Sequence, residues 1–127
     1  MKLLYQTGIF FYTLFIRMAS VFNEKARQFI KGRKNWKRTL SEKTVKNARY
    51  IWFHCASLGE FEQGRPVIEE IKKNFPEYKI VLTFFSPSGY EIRKNYNLAD
   101  IVAYLPVDTP RNARAFLDIL KPEKAFF

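Results

Sequence analysis

Three short segments contain the residue types that could bind a ligand or carry a reaction. They are rich in small hydroxyl residues, Gly and Pro, and they span residues 55–60, 86–89 and 106–110. In the first segment, Glu60 is a candidate general base, because an ionised carboxylate accepts the proton of an attacking hydroxyl. Gly59 beside it has no Cβ, so a ligand can approach the backbone closely. Glu60 also suits a helix cap, and spacing alone favours the cap, since acids are common in first turns.

The other segments and the two rare residues carry weaker signals. Residues 86–89 (SPSG) offer hydroxyl and backbone N–H groups to a phosphate, although a plain turn explains the same sequence. Asp108 in the third segment is more typical of a turn or cap than of a catalyst. His54 and Cys55 are the only residues of their types. They lack partners for a zinc site or a His-paired nucleophile, so both are predicted to pack at the end of a strand.

Alternating strands and helices must position these segments. Strands are predicted at residues 50–54, 79–85 and 100–105, with a fourth beginning at 125. Helices are predicted at 61–75 and 110–120, and a turn at 86–89 is followed by a short helix through residue 96. Pro66 is tolerated only near a first turn, so the regular part of the first of these helices is predicted to begin about there. The alternation predicts an α/β fold, a Rossmann-like parallel sheet with flanking helices. Ligands bind beyond the carboxyl ends of such strands, where all three segments fall.

The N-terminal residues 1–22 are predicted to form a hydrophobic membrane anchor. The mostly apolar run from residue 3 to residue 22 has about the length that a helix needs to cross a bilayer core. Polar residues dilute the run, and Arg17 lies near its end. A spanning helix and a helix lying in the membrane interface therefore both stay open, with an ordinary buried helix as a third reading.

The net charge of +10 is concentrated in residues 23–49, a predicted basic juxtamembrane segment. This segment has ten Lys or Arg and two acids, whereas residues 50–127 have ten of each sign. Basic residues beside an apolar segment attract anionic lipid and favour the cytoplasmic side. The predicted membrane-proximal basic residues are Arg33, Lys34, Lys37 and Arg38. A nucleic-acid-binding protein would spread such charge over its folded face, so no nucleic acid is expected. A membrane- or nucleic-acid-binding α/β module without catalysis is the alternative to an enzyme.

Three sequence blocks occur in order along the predicted sheet. They are His-x-x-Ser-x-Gly-Glu at residues 54–60, Thr-x-x-Ser-Pro-Ser-Gly at 83–89 and Tyr-Leu-Pro-x-Asp-x-Pro at 104–110. With the hydrophobic N-terminus and the basic segment, they resemble the Kdo transferases, also called 3-deoxy-D-manno-octulosonic acid transferases. The resemblance covers nearly the whole chain.

This resemblance implies a two-domain GT-B glycosyltransferase of lipopolysaccharide synthesis. It implies inverting transfer of Kdo from CMP-Kdo to a lipid A precursor, at the cytoplasmic face of the bacterial inner membrane. Glu60 matches the family's proposed general base, and no metal or other cofactor is expected. The predicted acceptor-binding residues are Ser57, Gly59, Ser86, Ser88 and Gly89.

The sequence ends on an apolar strand, which predicts a fragment of a longer protein. Residues 50–127 would then be a truncated first half of the N-terminal, acceptor-binding domain. The donor site would lie mainly in a missing C-terminal domain, so the isolated chain is expected to be inactive.

Overall fold

Four parallel strands form the central sheet. The computed structural model describes all 127 residues. It places the strands at Tyr50–Cys55 (β1), Lys79–Phe84 (β2), Ile101–Tyr104 (β3) and Lys124–Phe126 (β4). Their spatial order is β3-β2-β1-β4, so the chain moves outward from β1 to β3 and then returns to the other side of β1. The predicted α/β class, with a parallel sheet and flanking helices, is confirmed.

Six helices surround the sheet. They are α1 (Lys2–Ala19), α2 (Glu24–Arg33), α3 (Trp36–Lys43), α4 (Leu58–Asn74), α5 (Pro87–Arg93) and α6 (Pro110–Leu120). Four of them begin at a side-chain oxygen that accepts a backbone N–H of the first turn, which stabilises the helix end. These capping residues are Asn23, Ser57, Ser86 and Thr109.

The helix α4 begins earlier than the sequence predicts and runs through Pro66. The expectation that its regular part begins near the proline is therefore wrong. An interior proline loses one helical hydrogen bond, at a cost of about 3 kcal/mol or more. Packing offsets this cost, because Phe61 and Ile68, one on each side of the proline, are both fully buried against the sheet.

Helices cover both faces of the sheet. On one face, Phe61 and Ile68 of α4 pack against alternate residues of β1 and β2. On the other face, Phe116 and Leu120 of α6 join Leu40 of α3 in a second core cluster. Burial on both sides explains why β2 is apolar along its length instead of alternating in polarity.

The side chain of Arg33 fastens α2 beside the edge strand β3. Its guanidinium donates to the carbonyl oxygens of Leu105 at 2.8 Å, Phe85 at 2.9 Å and Phe29 at 3.2 Å. It also lies 3.6 Å from the centre of the Phe29 ring. Burial lowers the pKa of Arg33 to about 10, so the group stays cationic at neutral pH. Because Arg33 is only 8% exposed, it does not present its charge to a surface as the sequence-based assignment requires. Lys34, Lys37 and Arg38 are exposed.

The helix α1 lies against the loops at the carboxyl edge of the sheet. The ring of Tyr12 stacks on that of Phe85, which follows β2, with 6.4 Å between centroids. The hydroxyl of Tyr5 donates to the carboxylate of Asp108, which follows β3. One side of α1 therefore contacts one of the three segments that the sequence assigns to a ligand site, and also contacts the residue directly before a second one.

The opposite side of α1 is exposed and apolar. It consists of Leu3, Leu4, Phe10, Phe11, Leu14, Phe15 and Met18. No helix of the chain combines the length and the hydropathy needed to span a membrane. Of the readings left open for the predicted anchor at residues 1–22, the spanning helix is therefore wrong, because Gln6, Thr7 and the charged Arg17 dilute an apolar run of limited length. The interfacial helix stays a prediction.

Candidate functional site

The strand order reverses between β1 and β4, which makes their carboxyl ends the switch point of the sheet. Ligands of open α/β sheets bind in the crevice at such a point. A cavity of about 650 Å³ opens here. Its lining includes His54, Cys55, Glu60, Phe126 and Phe127. The predicted catalytic residue thus lies where the fold favours a ligand.

Glu60 lies in the first turn of α4, and its carboxylate is oriented by the backbone. Its Oε2 accepts the N–H of Ala56 at 2.6 Å, while the Oγ of Ser57 accepts the N–H of Glu60 at 3.4 Å. This exchange closely resembles a capping box, so Glu60 does cap its helix. The second oxygen, Oε1, makes no hydrogen bond, and the residue is exposed. The cap therefore holds the carboxylate without consuming the oxygen that a proton acceptor needs.

His54 is half-buried beside Glu60. Its Nδ1 lies 2.9 Å from Thr83 Oγ1, which also accepts the indole N–H of Trp52 at 2.8 Å. Burial lowers the pKa of His54, although the Glu60 charge and a hydrogen bond to Thr83 act in the opposite direction. The imidazole is therefore neutral at pH 7. It packs at the end of its strand, as the sequence predicts, but it also contributes to the cavity wall.

Cys55 is buried, and its environment disfavours the thiolate. Burial, and to a smaller extent the nearby Glu60 charge, raise the pKa of its thiol to about 11. A thiol in this state is a poor nucleophile at neutral pH. The sequence-based expectation that Cys55 packs at the strand end agrees with its burial.

Ser57 and Gly59, two of the predicted acceptor-binding residues, are exposed in the segment that precedes Glu60 but do not line this cavity. A Cβ added to Gly59 would meet only Ser57 Oγ, at 3.9 Å. Packing within the chain therefore does not require glycine at this position. Its close approach to a ligand stays a prediction.

Ser86, Ser88 and Gly89 lie at the end of the neighbouring strand. The backbone N–H of Ser86 donates to the carbonyl of Ala56 at 3.0 Å, which joins this loop to the first one. Ser86 Oγ accepts the N–H of Gly89 at 3.2 Å and so caps α5, whereas Ser88 is exposed. Gly89 is buried, and a Cβ there would lie 2.5 Å from the Phe84 ring. Close packing therefore explains Gly89 without any ligand.

Two features of this edge were not found from the sequence. They are the bond between Tyr5 and Asp108 and the three carbonyl contacts of Arg33. The first joins residues 103 positions apart, and two of the three Arg33 contacts span 72 and 52 positions, so no local spacing marks them. No group of three or more His, Cys, Asp or Glu side chains is placed to hold a metal ion.

Comparison with known proteins links this chain to one family. A family model described as 3-deoxy-D-manno-octulosonic-acid transferase (kdotransferase) matches residues 27–127. The chain is 34% identical over 89 residues to 3-deoxy-D-manno-octulosonic acid transferase of Aquifex aeolicus, covering 68% of this chain and 24% of that protein. It is 28% identical over 74 residues to the same-named protein of Haemophilus influenzae, covering 58% and 17%. A probable mitochondrial 3-deoxy-D-manno-octulosonic acid transferase of Arabidopsis thaliana is 34% identical over 73 residues, covering 57% and 16%. The chain thus spans about a quarter or less of the length of these relatives.

Proposed function

The chain belongs to the 3-deoxy-D-manno-octulosonic acid transferase family, and we propose that it forms the acceptor-binding part of an enzyme that transfers Kdo from CMP-Kdo to a lipid A precursor. In this proposal the enzyme is an inverting glycosyltransferase of GT-B architecture that acts in lipopolysaccharide synthesis. CMP-Kdo binds mainly on a second domain, outside the part of the relatives that this chain matches. The observation that carries the proposal is the position of Glu60 in the cavity at the switch point of the sheet.

Glu60 acts as the general base. Its free Oε1 takes the proton of an acceptor sugar hydroxyl while that oxygen attacks the anomeric carbon of Kdo. The bond from this carbon to the phosphate oxygen of CMP breaks on the opposite side, and CMP leaves with the electron pair. The anomeric configuration is thereby inverted. The bond from the Ala56 N–H to Oε2 supports this role, because it fixes the carboxylate before substrate binds.

Glu60→Gln in the complete product of the gene tests this role. Glutamine retains an oxygen that can accept the Ala56 N–H, so the helix cap and the fold are preserved. It cannot take up the proton, so kcat is expected to fall at least 100-fold, the lower end of general-base contributions. Glu70→Gln on the same helix removes an equal charge from an exposed position and should retain activity. Wild-type turnover by Glu60→Gln would remove Glu60 from the mechanism.

The acceptor is proposed to lie along Ser57, Gly59, Ser86 and Ser88. Two observations support this placement. These residues are at or near the carboxyl ends of adjacent strands, and the hydrogen bond between Ser86 and Ala56 holds the two loops together. Ser88→Ala is expected to raise the KM for acceptor while leaving kcat unchanged. An unchanged KM would remove Ser88 from the acceptor site.

The same proposal places the chain at the cytoplasmic face of the inner membrane, with α1 lying in the lipid interface. The exposed apolar side of α1 and the exposed charges of Lys34, Lys37 and Arg38 support this orientation. An interfacial helix needs only one apolar side, so it does not require the length of a spanning segment.

Flotation with liposomes measures this association. Phe11→Ser combined with Phe15→Ser removes two exposed rings from the apolar side of α1 and should reduce the bound fraction several-fold. Val67→Ser on α4 also changes an exposed apolar residue but lies away from α1, so it serves as the control. Equal binding by the two variants would refute the proposed orientation.

A further inference from the structure

A second cavity, separate from the one at Glu60, lies between α1, α2 and the start of α6. It has a volume of about 470 Å³. Its polar lining includes Arg17 of α1, Arg33 and the C-cap residue Lys34 of α2, and Asn112 of α6, while Trp36 forms part of its apolar wall. The volume falls in the range of sites for small ligands and exceeds what a single ion needs.

The charge lining this cavity is uncompensated. Arg17, Arg33 and Lys34 come from two different helices, and no acidic residue is among the lining residues. The side chains of Arg17 and Lys34 make no hydrogen bond or salt bridge. The nearby carboxylate of Asp108 is engaged by Tyr5 and does not line the cavity. Three like charges that share a cavity repel one another, and an anion in the cavity removes that repulsion.

Arg33 is already held in position for such an anion. Its three bonds to carbonyl oxygens use three of the five N–H donors of a guanidinium, which leaves two. Arg17 adds a second planar group of the kind that binds phosphate through paired hydrogen bonds, and Lys34 adds a point charge. A tetrahedral, doubly charged group satisfies this set better than a singly charged carboxylate does.

We propose that the cavity lined by Arg17, Arg33 and Lys34 is a binding site for a phosphomonoester group. The group has two possible sources with the same chemistry, a phospholipid headgroup and a soluble phosphate. The apolar lining from Trp36, Phe29 and Val107 leaves room for the atoms attached to the phosphate. The site is separate from the cavity at Glu60, because the two cavities share no lining residue.

Two measurements on the full chain test the site. In the first, inorganic phosphate is titrated at constant ionic strength, with sodium chloride as the matched salt, and the fluorescence of Trp36 in the cavity wall is followed. In the second, the chain is floated with phosphatidylcholine vesicles that contain either phosphatidic acid, a phosphomonoester, or phosphatidylglycerol, a phosphodiester, at equal surface potential.

The test variant is Arg17→Gln with Lys34→Gln. The matched control is Lys25→Gln with Lys31→Gln, which removes the same charge from exposed positions outside the cavity. The wild type and the control are expected to respond to inorganic phosphate, to prefer phosphatidic acid, or both. In the test variant, the affinity for inorganic phosphate should fall at least tenfold and the preference for phosphatidic acid should be lost, because two charge-assisted hydrogen-bond donors are removed.

Each outcome either supports the phosphomonoester site or overturns it. A saturable phosphate response without a vesicle preference assigns the site to soluble phosphate, and the reverse result assigns it to a lipid headgroup. Equal losses in the two double variants, or no phosphomonoester response by the wild type in either measurement, would overturn the site. Neither measurement involves transfer of a sugar, so failure of the Glu60 mechanism leaves these results unaffected.

Discussion

Replacing Arg33 with Met removes the polar connection between α2 and the carboxyl edge of the sheet but retains much of its apolar volume. Three hydrogen bonds from a charged donor are lost, each contributing about 1.5–3 kcal/mol. Part of this loss is offset, because an unpaired cation no longer has to be buried. The fall of the Arg33 pKa from 12.5 to about 10 corresponds to about 3 kcal/mol. The expected net loss in the free energy of unfolding is therefore about 1.5–6 kcal/mol.

Urea unfolding followed by far-UV circular dichroism measures this loss. With an m-value of about 1.5 kcal/mol per M, the urea concentration at the unfolding midpoint should fall by roughly 1–4 M. Arg38→Met is the matched control, because the Arg38 side chain is 82% exposed and pairs only with Glu42 on the surface. Such a surface pair contributes at most about 1 kcal/mol.

Arg33→Lys separates the role of the charge from the role of the hydrogen bonds. Lysine keeps the positive charge but lacks the planar fork that reaches Leu105 and Phe85 together. It should therefore be destabilised nearly as much as Arg33→Met. The reasoning is refuted if Arg33→Met unfolds within about 0.5 kcal/mol of Arg38→Met, the size of an ordinary surface effect.

Three further predictions concern the carboxyl ends of β1 and β2. Gly89→Ala should lose about 1–3 kcal/mol of stability in urea unfolding, since its Cβ would overlap the Phe84 ring, and a loss below 0.5 kcal/mol would contradict this packing. Thr83→Val should lower the free energy of unfolding by about 1–3 kcal/mol, because the buried indole N–H of Trp52 loses its acceptor. An unchanged thermal unfolding midpoint would be inconsistent with that bond. At pH 8, Cys55 should react with iodoacetamide at least about tenfold more slowly in the folded chain than in urea, because burial raises the pKa of its thiol to about 11. Equal rates in the two states would argue against burial of the thiol.

Local patterns predicted the sheet and the loops well, because strands buried on both faces and capped helices leave signals within a few residues. The Thr109 cap followed by Pro110 placed α6 at its observed bounds. Pro66 misled the prediction, because a local rule took no account of Phe61 and Ile68 packing on both sides of it. Tertiary packing overrode the local preference at that point.

The roles of the basic residues could not be predicted in the same way. Arg33 and Lys34 are neighbours in one basic run, yet one is buried and the other exposed. What separates them is the set of carbonyl oxygens at Leu105 and Phe85, which become close to α2 only when the chain folds. Charge along the sequence therefore did not distinguish the exposed Lys34 from Arg33, whose guanidinium is held inside the fold by carbonyl oxygens.

The contacts of α1 connect the proposed lipid surface to the proposed site. The inner side of α1 holds Asp108 through Tyr5 and Phe85 through Tyr12, and both partners belong to loops at the carboxyl edge of the sheet. If the outer side of α1 binds lipid, the inner side is restrained with it, because a helix moves as a rigid unit. Tyr5→Phe should then leave vesicle binding unchanged but increase backbone amide exchange in the loop around Asp108. Equal exchange in Tyr5→Phe and the wild type would show that α1 does not order that loop.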